Sequence, residues 1–561
     1  MKRRELLSQS KEELVDQILK IHEVIEQIKE ENNLIRKENN LIRKENGLFR
    51  EEIGRLRKEN TEQKKIIEKL KREVERAKNL PRKPNIKSSK SEICRKDKSK
   101  KQSVKKRSKK LVPTEIIKVE TPKDELPPGA KLKDYQEYTV QEIETRVRVI
   151  RYEIARYTLP NGKIITAEKP IEARSGHFGP ALKQYIIYQY HQNNVTQNKI
   201  LEELRDKGID ISAGQINAIL VEAALNLESE YEEVFEVGKK VSNKLCVDDT
   251  GEQYNRENWF CTAIQNELFV YFVTTNSKAR MSFLKILCGK HINFVLNNES
   301  FNYMKSFKMC SEIIDILRSF NGKSFSSEED FEAFLKETLL PCYRGLKTQR
   351  IAKEAALFGN LIDSGVDPNL IILSDGAGQF YITLLHALCW VHVGRPLKKY
   401  IPETDVDKAD LERVSKEFWD YYRKLCDYRE NPSAEQKETL QKKFDTVFSQ
   451  SVRSEELAAI LCAMRKKKDK LLVVLENPNI PLHNNGTESA IRNRVIKRKI
   501  SGPTRSEIGR KSRDIFASLS RTCRKNKISF WAFLGSRIRK DETIPFLPQI
   551  IRYRASNRSP T

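Results

Sequence analysis

The chain has 561 residues and carries 104 Lys and Arg against 78 Asp and Glu, a net charge of +26. That length exceeds what one hydrophobic core usually serves, and the charge predicts a polyanionic partner, so we expect several modules and DNA binding. No apolar run of about 18 residues and no secretory leader pattern occurs, so we expect a cytoplasmic, nucleoid-associated protein. The ten cysteines form no C-x-x-C pair, which argues against a zinc ribbon or a disulfide framework.

Residues 1–76 are predicted to form an amino-terminal coiled coil. Apolar residues and Asn recur with heptad spacing from residue 11 to residue 76, and ENNLIRK is nearly repeated over residues 31–44. Asn at several core positions favours a parallel pair, so we expect a homodimer or a higher oligomer. A long amphipathic helix folded onto its own chain is the alternative.

Two segments with different patterns follow the heptads. Residues 77–130 lose all periodicity and are rich in Lys and Arg, which predicts a disordered basic linker. Residues 131–178 alternate apolar and polar side chains around a turn at Pro160, Asn161 and Gly162, which predicts a small β module of two or three strands.

Residues 179–240 carry three short helical patterns, predicted at Pro180–His191, Gln197–Lys207 and Ala213–Leu225. Ser212 has the capping-box spacing to Gln215 at the start of the third helix, and Lys207-Gly208 ends the second helix with a tight turn. This arrangement is typical of a helix-turn-helix, whose last helix would place Gln215 and Asn217 against DNA. Three packed helices that do not touch DNA are the alternative.

Residues 241–540 are predicted to form an α/β catalytic domain, followed by a tail at residues 541–561. Three closely spaced strands from Lys244 predict an antiparallel meander, and a helix is expected over Lys278–Leu287. The apolar run Leu370–Leu373 predicts a buried parallel strand. Helical insertions are expected near residues 290–368, with a capping box at Ser326–Glu329, and near residues 401–480, with helices that begin at Ser433 and Ser454.

Three acids in this domain are candidates for a metal site. Asp248 and Asp375 each follow an apolar strand, and Glu488 lies near the start of a basic helix. Carboxylates are the ligands that Mg²⁺ or Mn²⁺ prefers, and two such ions can hold the oxygens of a phosphodiester in line. Asp249 competes with Asp248, because adjacent strand residues face opposite sides. The alternative is that each acid is an ordinary cap or surface residue.

Cations crowd the sequence after Glu488. Arg492 is spaced to form an i,i+4 pair with Glu488, but the number of cations without acidic neighbours favours a phosphate-binding face. We expect the DNA contacts in this segment at Arg494, Lys497, Arg498, Lys499, Arg505 and Lys511. In HALCWVHVG, Trp390 is expected to pack beside a hydrogen-bonded His392 rather than within a zinc site.

Three motifs resemble those of the insertion sequence 66 family of DDE transposases: VDDTG, LSDGAGQFY with CWVH following, and HNNGTESAIRNRVIKRK. The resemblance covers roughly residues 140–540 and the amino-terminal coiled coil. It implies a ribonuclease H-like catalytic core in which Asp248, Asp375 and Glu488 bind two Mg²⁺ or Mn²⁺ ions. It also implies positions near the active site for His392 and Arg492.

The chain departs from that family at four places. Asp249 stands where the first motif usually has Glu, His483 stands where Asp usually precedes Asn-Asn, and Gly394-Arg395-Pro396 replaces the basic residues expected after His392. The family's cysteine-rich finger has lost its cysteines here.

The function predicted from these features is that of a DNA transposase. It would act on double-stranded DNA, at the ends of a mobile element and at a target, by metal-dependent cleavage and strand transfer, with possible helper proteins from the same element. The alternative is a decayed or domesticated transposase that acts as a dimeric DNA-binding protein.

Overall fold

The computed structural model describes residues 113–120, 122, 131–136, 138–143, 146–170, 176–339 and 345–557, together with separate positions between 15 and 63. Those separate positions are all helical and exposed; the heptad seam as a whole and most of the 77–130 linker lie outside the described residues. Leu111–Ile401 and Asp405–Thr561 form one compact unit, which contains every element discussed below. None of the described helices is long and apolar enough to cross a bilayer.

An exposed two-stranded hairpin occupies the predicted β segment. Strands β1 (Arg156–Thr158) and β2 (Ile164–Thr166) are antiparallel, with Tyr157 opposite Ile165. Gly162 closes the turn at a φ of 78°, a conformation that glycine adopts without strain.

Three helices follow the hairpin: α1 (Pro180–His191), α2 (Gln197–Asp206) and α3 (Ala213–Lys240). The capping box at the start of α3 is present, since the side chains of Ser212 and Gln215 each bond the backbone N–H of the other. The predicted end of α3 at Leu225 is wrong. Buried apolar residues recur for four more turns, so the helix continues to Lys240, just before the sheet begins at Lys244.

The described residues contain a mixed five-stranded sheet in the order β5-β4-β3-β8-β9. Its strands are β3 (Lys244–Tyr254), β4 (Glu257–Gln265), β5 (Val270–Thr275), β8 (Ile371–Ser374) and β9 (Leu385–Leu388). The first three form the predicted antiparallel meander, and β8 and β9 run parallel to β3. The protein is therefore an α/β protein with many helices.

The β3–β4 connection is a two-residue turn. Residues 250–254 continue the strand, and the turn consists of Asn255 and Arg256, which have φ angles of 47° and 69°. Positive φ at both central residues is typical of the tight hairpin turn whose twist matches the strands.

A helical segment joins β5 to β8. It consists of α4 (Arg280–Cys288), a short β6–β7 pair (Phe294–Val295 and Ser324–Phe325) and the helices α5 (Asn298–Ser306), α6 (Ser311–Arg318), α7 (Glu328–Thr338) and α8 (Leu346–Asp363). The cap of α7 lies one residue later than predicted, because Ser327 accepts the hydrogen bond from the Asp330 N–H. The apolar faces of these helices share the core of the sheet and of α3.

A second helical segment follows β9 and has a core of its own. It consists of α9 (Trp390–Val393), α10 (Arg395–Lys399), α11 (Asp405–Glu430), α12 (Ala434–Phe448), α13 (Glu455–Arg465), α14 (Lys468–Leu471) and α15 (Val473–Glu476). Ser433 and Ser454 cap α12 and α13, as the sequence predicts. Trp390 is buried among Phe418, Tyr421 and Phe448, which confirms its predicted packing role.

Four helices complete the described chain: α16 (Asn485–Ser501), α17 (Glu507–Lys525), α18 (Phe530–Arg539) and α19 (Leu547–Ser556). Helix α17 covers the edge of the sheet. Asp514, Ser518 and Thr522, one helical turn apart, accept the N–H groups of alternate β5 residues at 2.9–3.1 Å. The two spacings match because four helical residues rise about 6 Å, close to two strand residues, and the edge strand is thereby closed to further pairing.

Asp514→Ala should destabilise the fold by about 3–5 kcal/mol, because it leaves the buried Arg494 guanidinium without one of its two carboxylate partners. Asp514 also accepts two hydrogen bonds from Thr274. Urea unfolding would measure the change. Glu507→Ala, on the exposed first turn of the same helix, is the matched control and should have little effect; equal losses of stability in both variants would contradict the role given to the buried pair.

Candidate active site

Two of the three predicted acids lie level with each other on adjacent parallel strands. In the β3–β8 pair Cys246 is opposite Leu373, and Asp248 and Asp375 each lie two residues beyond that pair. Because β3 and β8 run in the same direction, the two acids lie at the same level, where β8 ends and β3 continues to Tyr254. The expectation that Asp248 closes its strand is therefore wrong, since the strand extends six residues further.

The third acid is delivered by the first turn of α16. Asn484, which precedes this helix, is buried and donates its side-chain N–H to the Val247 carbonyl at 2.9 Å, next to Asp248. Gln265 on β4 donates to the Thr487 hydroxyl at 2.7 Å. These two contacts fix the start of α16 across β3 and β4, so that Glu488 lies near Asp248.

The SDG motif forms a tight loop after β8. The buried Ser374 hydroxyl accepts the Gly376 N–H at 3.0 Å and contacts Nε2 of His386 at 2.7 Å. Gly376 has a φ of 95°, and Oδ1 of Asp375 accepts the Ala377 N–H at 2.9 Å. The side chain of Asp375 is thus held by its own loop.

Asp248 and Asp249 occupy different surroundings. Burial raises the pKa of Asp248 from 3.8 to about 7, with smaller contributions from the charges of Asp375, Asp249 and Glu488, while a hydrogen bond from the Asp249 N–H opposes the rise. Asp249 instead accepts a hydrogen bond from Gln379 and is close to Lys278. Since only Asp248 is close to both other acids, the surroundings favour Asp248 over Asp249 as the first acid.

Glu488 is engaged by two neighbours that the CWVH segment supplies. Its Oε1 lies 3.1 Å from Nε2 of His392 and 3.0 Å from Nη2 of Arg395. Burial and the charge of Arg395 lower the pKa of His392, so the ring is neutral at pH 7 and its Nε2–H donates to the carboxylate. The alternative i,i+4 pair between Glu488 and Arg492 is not formed: Arg492 is exposed and has no ion-pair partner among the described residues.

The three acids have the right chemistry for a metal site, but their side chains are not gathered around one point. Three carboxylates are the hard oxygen ligands that Mg²⁺ and Mn²⁺ take. Among the described residues, however, no three His, Cys, Asp or Glu side chains are gathered closely enough to hold a metal ion. Glu488 instead contacts Arg395 and His392, and these contacts hold its carboxylate away from a shared metal position.

Two of the predicted DNA contacts are wrong as surface contacts, because Arg494 and Lys497 are buried. Arg494 forms ion pairs with Glu252 at 3.1 Å and Asp514 at 2.7 Å. Lys497 donates to the carbonyl of Tyr190 on α1. Both lie on the face of α16 that packs against the sheet and α1, a direction that helical spacing alone did not reveal.

The other predicted DNA-binding residues remain at the surface to different degrees. Lys499 and Arg505 are exposed, and Arg498 is partly exposed. Lys511 is paired with Glu228 at 3.2 Å, which ties α17 to α3. In the third helix, Gln215 uses its side chain as a cap, whereas Asn217 is exposed and weakly contacts Gln197.

Sequence reasoning missed Arg395, which contacts Glu488, Gln379, which contacts Asp249, and Asn484, which bonds the Val247 carbonyl next to Asp248. Arg395 belongs to the Gly-Arg-Pro segment, where the family resemblance predicts other basic residues. Asn484 sits in the NN-x-x-E motif itself, so the motif could have identified it. Gln379 follows Asp375 by four residues, and only the fold brings it to Asp249.

Two comparisons relate this chain to known proteins. Residues 371–512 match the model of the transposase IS66 family, a span that runs from β8 to the first turns of α17 and includes Asp375 and Glu488. The chain is also 36% identical over 297 residues to the uncharacterized protein y4jO of Sinorhizobium fredii (strain NBRC 101917 / NGR234), covering 53% of this chain and 92% of that relative. The chain belongs to the transposase IS66 family.

In the metal-free protein, Asp248→Asn should raise the free energy of unfolding by an amount that grows between about pH 4 and pH 7 and is constant at higher pH. The folded chain holds the pKa of Asp248 at about 7, so the stability linked to its protonated form is full at low pH and is lost as the pH rises through that value. Asn has no proton to lose. Urea unfolding at stepped pH would measure the difference, and parallel profiles for the two proteins would contradict the shifted pKa.

Proposed function

We propose that this chain is a DNA transposase that performs metal-dependent cleavage and strand transfer at the ends of a mobile element. The observation that carries the proposal is the proximity of Asp248 on the central strand β3, Asp375 just after the adjacent strand β8, and Glu488 on the helix that crosses them. Membership of a transposase family supports the same reaction class.

The core of this enzyme is proposed to be ribonuclease H-like. Three antiparallel strands followed by two strands parallel to the first, in the order β5-β4-β3-β8-β9, support that assignment. The two acids on the strands fall on the central strand β3 and just after its neighbour β8, and the helical segment at residues 401–480 enters before the helix that bears the third acid.

Asp248, Asp375 and Glu488 would hold two Mg²⁺ or Mn²⁺ ions. When bound, such ions activate a water or a 3′-hydroxyl and offset the charge that builds on the phosphate. His392 and Arg395 both contact Oε1 of the Glu488 carboxylate. Asn484 and Gln265 keep the start of the helix fixed on β3 and β4.

The exposed cations that follow Glu488 are proposed to contact double-stranded DNA through its phosphates. Arg492 and Lys499 are exposed on α16, and Arg505 is exposed in the loop after it. Asn217, on the exposed face of the third helix of the helix-turn-helix-like module, is a second proposed contact. The heptad segment would pair two subunits, which suits a reaction on two DNA ends.

A second candidate is a decayed transposase that binds DNA as a dimer without cutting it. The engagement of Glu488 by Arg395 favours this alternative, because a carboxylate held by a guanidinium is a poorer metal ligand. Both candidates predict DNA binding that weakens with salt, so only a cleavage assay separates them.

Asp375→Ala and Glu488→Ala should each abolish Mg²⁺-dependent strand transfer on a substrate with the element's ends while leaving binding of those ends within about twofold, since neither acid is proposed to contact DNA for affinity. Gel-shift and strand-joining assays would measure the two properties. Asp367→Ala, an exposed acid in the turn before β8, is the matched control and should retain joining. Undiminished joining in either acid variant would sink the assignment.

Arg395→Ala should strengthen Mn²⁺ binding severalfold, because it releases Glu488 from a half-exposed ion pair. Titration calorimetry with Mn²⁺ would measure the affinity. Lys399→Ala removes an exposed cation from the same helix and is the matched control. Weaker Mn²⁺ binding in Arg395→Ala would instead show that Arg395 holds Glu488 in its metal-binding position.

A further inference from the structure

A cavity of about 440 Å³ lies between α1, α16, α17 and the start of α18. Its lining contains six cationic side chains and no Asp or Glu; we call it the basic cavity. The cations are Arg494, Lys497, Arg513, Arg521, Arg524 and Lys527. None of the three candidate catalytic acids lines it.

Arg513 is the group that points to a ligand. Its side chain is 5% exposed and lines the cavity, yet Nε and Nη1 form no hydrogen bond to any described residue. Its ion-pair and backbone contacts are distant: Nη1 lies 3.9 Å from Glu252, and Nη2 is 3.5 Å from the Ser501 carbonyl. The Tyr190 hydroxyl is a further neighbour of the guanidinium. Buried donors without acceptors cost free energy, and an anion in the cavity would satisfy them.

The remaining cations are unevenly neutralised. Glu252 and Asp514 pair with Arg494 behind the cavity wall, but Arg521, Arg524 and Lys527 have no ion-pair partner among the described residues. Burial, followed by the charges of Arg513 and Arg494, lowers the pKa of Lys497 to about 7. Burial and Arg524 also lower the pKa of Arg521. Burial is the larger cause of both pKa shifts, and neighbouring positive charge adds to it.

The cavity is separate from the catalytic acids although it shares a helix with them. Glu488 and Lys497 are nine residues apart on α16, which places them roughly 14 Å apart along the axis and on opposite sides of the helix. A ligand in the basic cavity would therefore lie beside α1 of the helix-turn-helix-like module rather than at the strand ends.

We propose that the basic cavity binds a backbone phosphate of a DNA strand. A guanidinium group can bind two phosphate oxygens through parallel hydrogen bonds. Three such groups line the cavity, those of Arg513, Arg521 and Arg524. The volume accepts a phosphate with part of its sugar, and Tyr188 and Phe530 provide apolar wall for the sugar. That the phosphate belongs to DNA rests on the proposed function. That the cavity binds a phosphate group rests on its own cations and does not depend on that function.

The first test uses the full chain with pyrophosphate as the probe. Pyrophosphate should raise the melting temperature of the unsubstituted protein, and the rise should be abolished in the Arg521→Ala, Arg524→Ala double variant. These two positions are chosen because neither has a described ion pair, so their removal spares the fold. Lys305→Ala with Lys416→Ala removes the same charge at exposed positions that do not line the cavity, and it should keep the rise. Equal rises in the cavity variant and the control would overturn the proposal.

The second test separates DNA from a free anion. A single-stranded oligonucleotide should displace pyrophosphate from the unsubstituted protein, and the slope of log affinity against log salt should fall by roughly 0.7 for each phosphate that the cavity variant no longer binds. Pyrophosphate binding that no oligonucleotide displaces would overturn the DNA assignment. Intact displacement together with absent strand transfer would contradict the proposed enzyme activity and leave the cavity's role standing.

Discussion

The buried ion pairs of Arg494 hold α16 on the sheet. Its guanidinium reaches Glu252 on β3 and Asp514 on α17, so one side chain ties together the central strand, the helix that carries Glu488 and the helix that closes the sheet edge. Burial acts against the charge, but Asp514 and Glu252 raise the pKa of Arg494 above its usual value. A buried charge held in this way admits one register, which fixes where Glu488 can lie.

The same helix connects the candidate active site to the module before it. Its first turn is fixed by Asn484 and Thr487 against β3 and β4, its middle by Arg494, and its last turns by Lys497 against α1. After the helix, Thr504 pairs with the end of β3. One side of α16 therefore carries Glu488 toward Asp248, and the other side faces the basic cavity.

The polar contacts around Glu488 explain why the acids are close together without forming a ready metal site. Three carboxylates near one another repel, and the rise in the Asp248 pKa is one consequence of their burial and proximity. Arg395 and His392 relieve part of that repulsion from the side of Glu488. A divalent ion bound as proposed would compete with the Arg395 guanidinium for the Glu488 carboxylate.

The sequence by itself determined the strand that ends before Asp375, the strand that contains Asp248, the caps at Ser212, Ser433 and Ser454, and the family, because these depend on local periodicity, capping chemistry and short motifs. It did not show that β3 continues past Asp248 to Tyr254. It could not decide which cations of α16 face water. Arg492 and Arg494 look equivalent in the sequence, yet one is exposed and the other is buried in ion pairs with residues 242 and 20 positions away. That choice depends on the packing of β3, α17 and α1 against the helix, which brings distant acids to one face and leaves the cations of another face around a cavity.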